Sequence, residues 1–206
     1  MFISWLKEMD EKYSVINIRS FIDKSDHAYI GEEQLSEILN EFSCPINPDV
    51  EHFLLQNAIE FTKKDQSVTY LVFTQDNAEL AGYFSVAIKP ISILASSLSK
   101  NMCKKIARVS VLDETTNTYT ASASLIAQLG KNFALPNELR IDGNALLDFA
   151  LNNVLLARYY WGGVVEFLEC EDKEPLLRFY MNNGFKVFNS RITKDKVKLY
   201  QLLKFI

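Results

Sequence analysis

The chain has 206 residues, of which 48% are hydrophobic and 23% are charged, and its net charge is -4 at pH 7. This length and apolar content favour one domain over residues 1–206 with a large buried core, and argue against long disordered segments. The acidic excess disfavours a general nucleic-acid-binding protein, which requires a concentrated basic face.

The cysteines and the apolar runs indicate the compartment. Cys44, Cys103 and Cys170 are odd in number and scattered, so neither a disulfide framework nor a metal-ligand pair is predicted. No apolar run approaches the roughly 18 residues of a membrane span, and the N-terminal segment is too charged for a signal peptide. We therefore predict a cytoplasmic protein without a metal and without a membrane span.

In chain order, the first half predicts helices followed by a strand hairpin. Residues 16–22 are the first strand candidate, 31–39 read as a short helix, and a second helix follows Asn47 or Asp49 and carries apolar residues through Phe61. Two runs rich in β-branched and aromatic residues, 68–74 and 80–87, flank turn residues and predict a hairpin. Residues 91–118 interrupt the strand pattern, and we interpret them as an insertion between strands.

The second half predicts a parallel crossover and an antiparallel end. A strand over 119–129, a helix over 141–160 and a strand over 164–170 form the crossover. A helix from Pro175 to Asn183 and strands near 185–188 and 197–205 complete the chain. The predicted fold class is α/β (α+β): a mixed, mostly antiparallel twisted sheet with helices on both faces.

The segment from Arg140 to Ala145 lies where the long helix begins. A helix N-terminus offers unpaired N–H groups and a positive partial charge, so it stabilises an anion. Gly143 and Ala145 permit close approach of the backbone, and Arg140 adds a mobile positive charge. Asp142 is the exception: its carboxylate must point away or cap the helix. An ordinary helix start with a packing glycine has the same pattern.

The segment from Phe179 to Phe185 carries Tyr180 on a short helix that Gly184 ends. Tyr180 is either a core tyrosine or a hydroxyl group directed at a ligand.

Together the two segments resemble the GNAT family, the N-acetyltransferases that use acetyl-coenzyme A, over roughly residues 48–206. Arg140 to Ala145 matches the family's Arg/Gln-x-x-Gly-x-Gly/Ala pyrophosphate loop, and Tyr180 matches the tyrosine that protonates the coenzyme A thiolate in many members. Residues 68–87 and 125–131 look like a bacterial branch to which certain toxin-type acetyltransferases are related. The resemblance implies a GNAT-like fold and acetyl-CoA as cosubstrate.

The resemblance also implies a set of binding residues. A backbone N–H near Leu129 or Gly130, where the parallel strands separate, would meet the oxyanion. Lys173 stands where the family often has an asparagine, and the connection 132–139 is longer than usual. The residues predicted to bind acetyl-CoA are Leu129, Gly130, Lys131, Arg140, Ile141, Asp142, Gly143, Asn144, Ala145, Lys173 and Tyr180.

The predicted catalytic residues are Tyr180, as general acid, and Glu169, as the base for the amine. Glu166 and Glu169 share a predicted strand but point to opposite faces, so at most one faces the cleft. We favour Glu169.

The predicted activity is transfer of acetyl to a primary amine by direct attack in a ternary complex. The acceptor, a small molecule or a peptide, is not defined by the sequence, and a homodimer is compatible with it. Two alternatives stay open. One is a toxin-type aminoacyl-tRNA acetyltransferase, which needs Lys100, Lys104, Lys105 and Arg108 to concentrate positive charge; the other is a binding module without catalysis.

Overall fold

The computed structural model describes residues 12–206 and divides the chain into two compact units. Unit 1 comprises Met1–Val86 and Gln128–Leu151, and unit 2 comprises Ala87–Ala127 and Asn152–Ile206. The prediction of a single domain with an insertion at 91–118 stays a prediction.

The described residues form eight strands and seven α-helices, and Phe53–Asn57 form a π-helical turn. The strands are β1 (Tyr13–Asn17), β2 (Val68–Thr74), β3 (Leu80–Leu94), β4 (Leu112–Asp113), β5 (Thr118–Lys131), β6 (Val165–Glu171), β7 (Lys186–Ile192) and β8 (Lys198–Phe205). The helices are α1 (Ile18–Ile22), α2 (Glu32–Leu39), α3 (Pro48–His52), α4 (Ala58–Lys63), α5 (Lys100–Ile106), α6 (Gly143–Trp161) and α7 (Glu174–Asn182).

Unit 1 is built on antiparallel strands in the order β1-β2-β3. Its buried cluster joins α2, α3 and α4 to these strands through residues such as Leu35, Leu54 and Leu71, which have no exposed surface. The buried Tyr83 hydroxyl donates to the carbonyl oxygen of Val50 at 2.6 Å, so the polar end of a core aromatic residue is satisfied. The predicted hairpin of β2 and β3 is confirmed.

Unit 2 carries the strand order β3-β5-β6-β8-β7. β5 and β6 are parallel over Ser124–Ile126 and Glu166–Leu168, whereas β6, β8 and β7 pair antiparallel. The buried cluster of this unit includes Ile93, Ile106 and Leu203. The predicted mixed sheet, with its parallel crossover through α6, is confirmed.

Two element boundaries differ from the sequence prediction. The first strand ends at Asn17, because the Asn17 side chain accepts the Arg19 N–H at 3.0 Å and caps a helix over the next five residues. β3 continues to Leu94, past the predicted start of the insertion at 91. Ile91 and Ile93 are buried and alternate with exposed neighbours, which is the period of a strand.

The connection after β5 is fixed by Asn132, which is 1% exposed. Its amide nitrogen donates to the carbonyl oxygens of Glu41 and Leu80 at 3.1 and 2.8 Å. Its amide oxygen accepts the N–H groups of Ser43 and Ala134, both at 3.0 Å. All four partners of this buried side chain belong to unit 1. The segment 132–139 therefore leaves the sheet at a defined point.

Among the described residues, no helix is long and apolar enough to cross a membrane. Across the same part of the chain, no cluster of three or more His, Cys, Asp or Glu side chains could hold a metal ion.

Candidate active site

The turn before α6 is capped by Asp142. Its carboxylate accepts the Asn144 N–H at 2.8 Å, and its carbonyl oxygen accepts the Leu146 N–H at 3.0 Å. Backbone hydrogen bonds, first that of Asn144 and then those of Ala145 and Gly143, lower the pKa of Asp142 below its ordinary value. Asp142 therefore caps the helix and places a negative charge at its N-terminus.

Arg140 is held in place rather than mobile. Its guanidinium donates to the carbonyl oxygens of Leu135 and Phe133, both at 2.8 Å, and to the side chain of Asn137 at 2.5 Å. It also lies over the Phe133 ring, 5.1 Å from the centroid. The expectation of a mobile charge is wrong, because the longer connection 132–139 curls its carbonyl groups around the guanidinium.

The other residues of this turn differ in burial. Ile141 has no exposed surface, and its side chain packs 3.5 Å from where a Cβ on Gly82 would lie. Gly143 and Ala145 are half-buried, whereas Asn144 is exposed. Ile141 therefore anchors the turn in the core.

The end of β5 holds Leu129, Gly130 and Lys131. The parallel β5–β6 ladder stops at Ile126 and Leu168, although β5 runs on to Lys131 and β6 to Glu171. Leu129 is half-buried, and the Lys131 ammonium lies 5.9 Å from the centroid of the Phe133 ring.

Gly130 is buried for packing. A Cβ at this position would lie 2.5 Å from Val50, 2.8 Å from Tyr83 and 3.0 Å from Phe42. No side chain fits, so glycine at this position keeps the strand close to α3 whether or not its N–H binds a ligand.

Tyr180 lies on α7 and is 7% exposed. Its ring packs edge-on against Phe179 and Phe185, with centroids 5.0 and 6.0 Å apart. Burial, and to a smaller extent Cys170, raises the pKa of Tyr180 well above its ordinary value. Its hydroxyl is not among the buried side-chain atoms that lack a hydrogen-bond partner in residues 12–206, so Tyr180 combines a largely buried ring with a protonated hydroxyl.

Lys173 begins α7 without a side-chain cap. Its carbonyl oxygen accepts the N–H groups of Leu176 and Leu177 at 3.0 Å, and its ammonium pairs with Glu171 at 2.7 Å. Lys173 therefore offers an exposed cation at the helix start, in place of an amide.

The two candidate bases differ sharply. Arg191 bonds both carboxylate oxygens of Glu169, and Gln201 donates to Glu169 at 2.7 Å. Burial alone raises the pKa of Glu169, but these hydrogen bonds bring it below its ordinary value.

Glu166 has no exposed surface, and neither carboxylate oxygen has a hydrogen-bond partner among the described residues. Burial raises the pKa of Glu166 to about 7, against the opposing effect of Lys204 and Arg158. The sequence did not favour Glu166 as the base, because strand alternation predicts which face of the sheet a side chain occupies but not how deeply it is buried.

The basic residues are distributed unevenly between the units. Unit 2 holds 14 of the 22 Lys and Arg residues and 8 of the 26 Asp and Glu residues, which gives it a net charge of +6. Unit 1 holds the other 8 basic and 18 acidic residues, which gives it a net charge of -10. Lys100, Lys104, Lys105 and Arg108 of α5 and the residues after it are all exposed, and within the described part of the chain none forms a salt bridge. These four cations are exposed on one short helix and the turn after it, in a chain whose net charge is -4.

No protein-family model and no curated protein sequence matches the chain. Solved structures do match its fold. AtaT complexed with acetyl-methionyl-tRNAfMet is 15% identical, with 91% of this chain and 93% of that chain covered and a TM-score of 0.61. AtaTR bound with AcCoA is 14% identical, with 94% and 93% covered and a TM-score of 0.56. A tyrosine-to-phenylalanine mutant of KacT is 16% identical, with 93% and 95% covered and a TM-score of 0.61.

The chain therefore has the fold of the GNAT acetyltransferases, and the resemblance predicted from its sequence is confirmed at the level of the fold.

Proposed function

We propose that the protein is an N-acetyltransferase that moves the acetyl group of acetyl-CoA to a primary amine. The observation that carries this proposal is Tyr180, a largely buried tyrosine that stays protonated at neutral pH and lies on the helix where the GNAT resemblance expects the general acid.

For the acyl donor, we assign the pyrophosphate to the N–H groups of Gly143, Asn144 and Ala145. The two small residues fit the backbone approach that a phosphate needs, and Arg140 organises the preceding loop. Asp142 is the part that does not fit, since its carboxylate has to give up the Asn144 N–H when a phosphate arrives. Leu129, Gly130 and Lys131 supply a strand edge for the pantetheine, and Lys173 a cation.

In the reaction, the amine nitrogen bonds to the acetyl carbon while the carbon–sulfur bond breaks. The sulfur leaves with the bonding electrons and takes the Tyr180 proton. The amine gives up its own proton to a base, which returns a proton to Tyr180 through solvent. Glu169 is ionised at neutral pH and can accept the proton, directly or through water, once its contact with Arg191 opens.

Calorimetric titration with acetyl-CoA tests the first step. We expect the wild type to bind and Gly143→Glu to lose binding, because the new carboxylate lies at the phosphate position while an acidic residue suits the first turn of a helix. The control is Asp148→Glu, which places a glutamate at an exposed position further along the same helix. Absence of binding by the wild type would defeat the proposal.

Thiol release with an amine panel tests the chemistry. We expect Tyr180→Phe to lower turnover by about 100-fold, in the range of general-acid catalysis, and the exposed Tyr160→Phe to leave it unchanged. Because the pKa of Tyr180 is raised above 10.0, wild-type turnover should not fall between pH 8 and 10 through this group. Unchanged turnover in Tyr180→Phe would remove the assignment.

Glu169→Gln and Glu166→Gln form a matched pair on one strand. If Glu169 is the base, turnover falls in the first variant and not in the second. Equal turnover in both variants would assign the amine's proton to water.

A second candidate function, acetylation of an amino acid carried on tRNA, is favoured by the +6 charge of unit 2. Comparing free amines, peptides and aminoacyl-tRNA in the same thiol-release assay separates it from acetylation of a small amine.

A further inference from the structure

The second half of α6 leaves an apolar surface exposed. Leu155 and Leu156 are 39% and 49% exposed, and Tyr159, Tyr160 and Trp161 are 82%, 67% and 76% exposed. All five residues belong to unit 2, and together we call them the aromatic stripe. Single exposed apolar residues are common on monomeric proteins, whereas a contiguous apolar patch marks an interaction site.

The five residues of the aromatic stripe are connected. Leu155 and Tyr159 are four residues apart, as are Leu156 and Tyr160, so each pair lies on one side of the helix. The Tyr160 ring packs against the rings of Tyr159 and Trp161, with centroids 5.4 and 6.1 Å apart. The rings therefore form a preformed surface, which lowers the side-chain entropy lost when a partner binds.

The helix that carries the stripe ends in open space. Gly162 and Gly163 follow Trp161 with φ of 80° and 110°, a left-handed backbone that ends the helix. A Cβ atom at either glycine would meet no atom within 4 Å among the described residues. The stripe is therefore accessible to a partner as large as a protein.

The charge around the stripe distinguishes a protein partner from a lipid surface. Between Asp148 and Glu166 the sequence has one charged residue, the exposed Arg158, and within residues 12–206 this residue forms no salt bridge. Peripheral binding to membranes requires several Lys and Arg beside the apolar residues. Protein interfaces are instead depleted of charge at their centre and enriched in Tyr, Trp and Arg. The composition therefore favours a protein partner.

The area of the stripe fits a second copy of the same chain. At about 150–250 Å² for a whole aromatic side chain, the exposed fractions of the five residues leave on the order of 600 Å² available. Two such stripes facing each other would bury about 1,200 Å², which reaches the range of stable interfaces.

The charge distribution also fits a second copy. The net charge of +6 on unit 2 makes two copies of this unit repel each other, so they meet most favourably where charge is sparse. The aromatic stripe is such a place, with one cation on each copy. The Arg158 guanidinium of one copy can lie against an aromatic ring of the other, which stabilises the pair further.

We propose that the aromatic stripe of α6 is a two-fold symmetric interface between two copies of this chain. A two-fold contact uses the same surface of both copies, so the assembly closes at a dimer. This inference is independent of the proposed acetyltransferase function, because none of the five residues is assigned to donor binding or to catalysis.

Sedimentation velocity of the full chain over a range of micromolar concentrations tests the proposal. The chain has a mass of 23.6 kDa, and we expect the wild type to approach twice this mass as its concentration rises. The stripe variant carries Tyr159→Lys and Trp161→Lys, at exposed positions in the last turn of a helix, where cations are favourable. The matched control carries Val111→Lys and Ile192→Lys, at exposed apolar positions of the same unit, so that the net charges are equal.

We expect the dissociation constant of the dimer to rise by about 100-fold or more in the stripe variant and to change by less than about threefold in the control. A wild type that stays monomeric would overturn the proposal, and so would a stripe variant that dimerises as tightly as the wild type. Equal weakening in both variants would assign association to net charge and would also overturn it.

Quenching of tryptophan fluorescence by acrylamide tests the position of the interface without a charged substitution. The chain has two tryptophans, and the signal of Trp161 is the difference between the wild type and Trp161→Phe. We expect Trp161 to be protected at high protein concentration and to become accessible on dilution. Equal quenching of Trp161 in dimer and monomer would place the interface elsewhere and overturn the proposal.

Flotation with vesicles of phosphatidylcholine and phosphatidylserine tests the lipid surface as the alternative occupant. We expect the dimeric wild type to remain unbound. Flotation of a monomeric wild type with these vesicles would assign the stripe to a membrane surface and overturn the dimer.

Discussion

The buried Asn132 of unit 1 and the buried Glu166 of unit 2 differ in their hydrogen bonding. In unit 1, the Asn132 side chain makes four hydrogen bonds, and the buried Tyr83 hydroxyl donates one. In unit 2, neither carboxylate oxygen of Glu166 has a hydrogen-bond partner among the described residues. Satisfied groups define a single conformation, whereas unsatisfied ones shift their pKa and stay available for chemistry.

The largest expected effect comes from removing the best-satisfied group. Asn132→Ala leaves two carbonyl and two N–H groups without a partner, so we expect a loss of about 4 kcal/mol in the free energy of unfolding at roughly 1 kcal/mol for each bond. Urea denaturation measures it, with Asn77→Ala in an exposed turn as the control. A loss no larger than that of the control would contradict the contrast between Asn132 and Glu166.

Replacing Glu166 is expected to raise the free energy of unfolding rather than lower it. Burial raises its pKa from 4.5 to about 7, so the folded state holds a proton that the unfolded state releases above pH 4.5. Stability therefore falls as the pH rises from 4.5 to about 7 and stays low above it. Glu166→Gln should raise the free energy of unfolding above pH 7 by up to about 3 kcal/mol, at 1.36 kcal/mol per pKa unit.

The same substitution should have no pH-linked effect below pH 4.5, where both states are protonated. Thermal unfolding at pH 4 and pH 8 measures the difference. If Glu166→Gln were destabilising at pH 8, the carboxylate would have a partner that stabilises its charged form.

Close packing in unit 1 gives a smaller effect. Gly130→Ala places a methyl group 2.5 Å from Val50, and we expect a loss of about 2 kcal/mol, which is typical of overpacking. Combining it with Val50→Ala removes the nearest contact, so the double variant should be less destabilised than the sum of the two single variants. Strict additivity would mean that the strain lies elsewhere.

The smallest effect on stability belongs to Asp142. Asn caps a helix about as well as Asp, so Asp142→Asn should cost only a few tenths of a kcal/mol at this exposed turn. The contribution of the charge is present above pH 3.8 and is lost as the pH falls through the lowered pKa. Acetyl-CoA affinity should rise several-fold in this variant, measured by calorimetry against Asp148→Asn.

Much of the architecture could be predicted because it is local. The β2–β3 hairpin, the strand at β5, the long α6 and the short α7 follow from periodicity, glycine and proline positions. The prediction of a strand over 16–22 was wrong beyond Asn17. The apolar residues there suit a strand or a helix, and the asparagine cap selects the helix.

The candidate site was less predictable because its chemistry depends on contacts between distant residues. The pattern around Arg140 and Tyr180 is visible in the sequence. The carbonyl groups that hold Arg140, the Arg191 contact of Glu169 and the burial of Glu166 are not, because they follow from strand register and the path of a loop.

Asn132 also sets how much the length of this chain can vary. Its four bonds fix the start of the connection 132–139, and Arg140 binds that connection's own carbonyl groups at the other end. Inserting or deleting a residue between them would move one anchor out of register. Natural variation in loop length should therefore be concentrated at turns such as residues 114–117, while this longer segment keeps a constant number of residues.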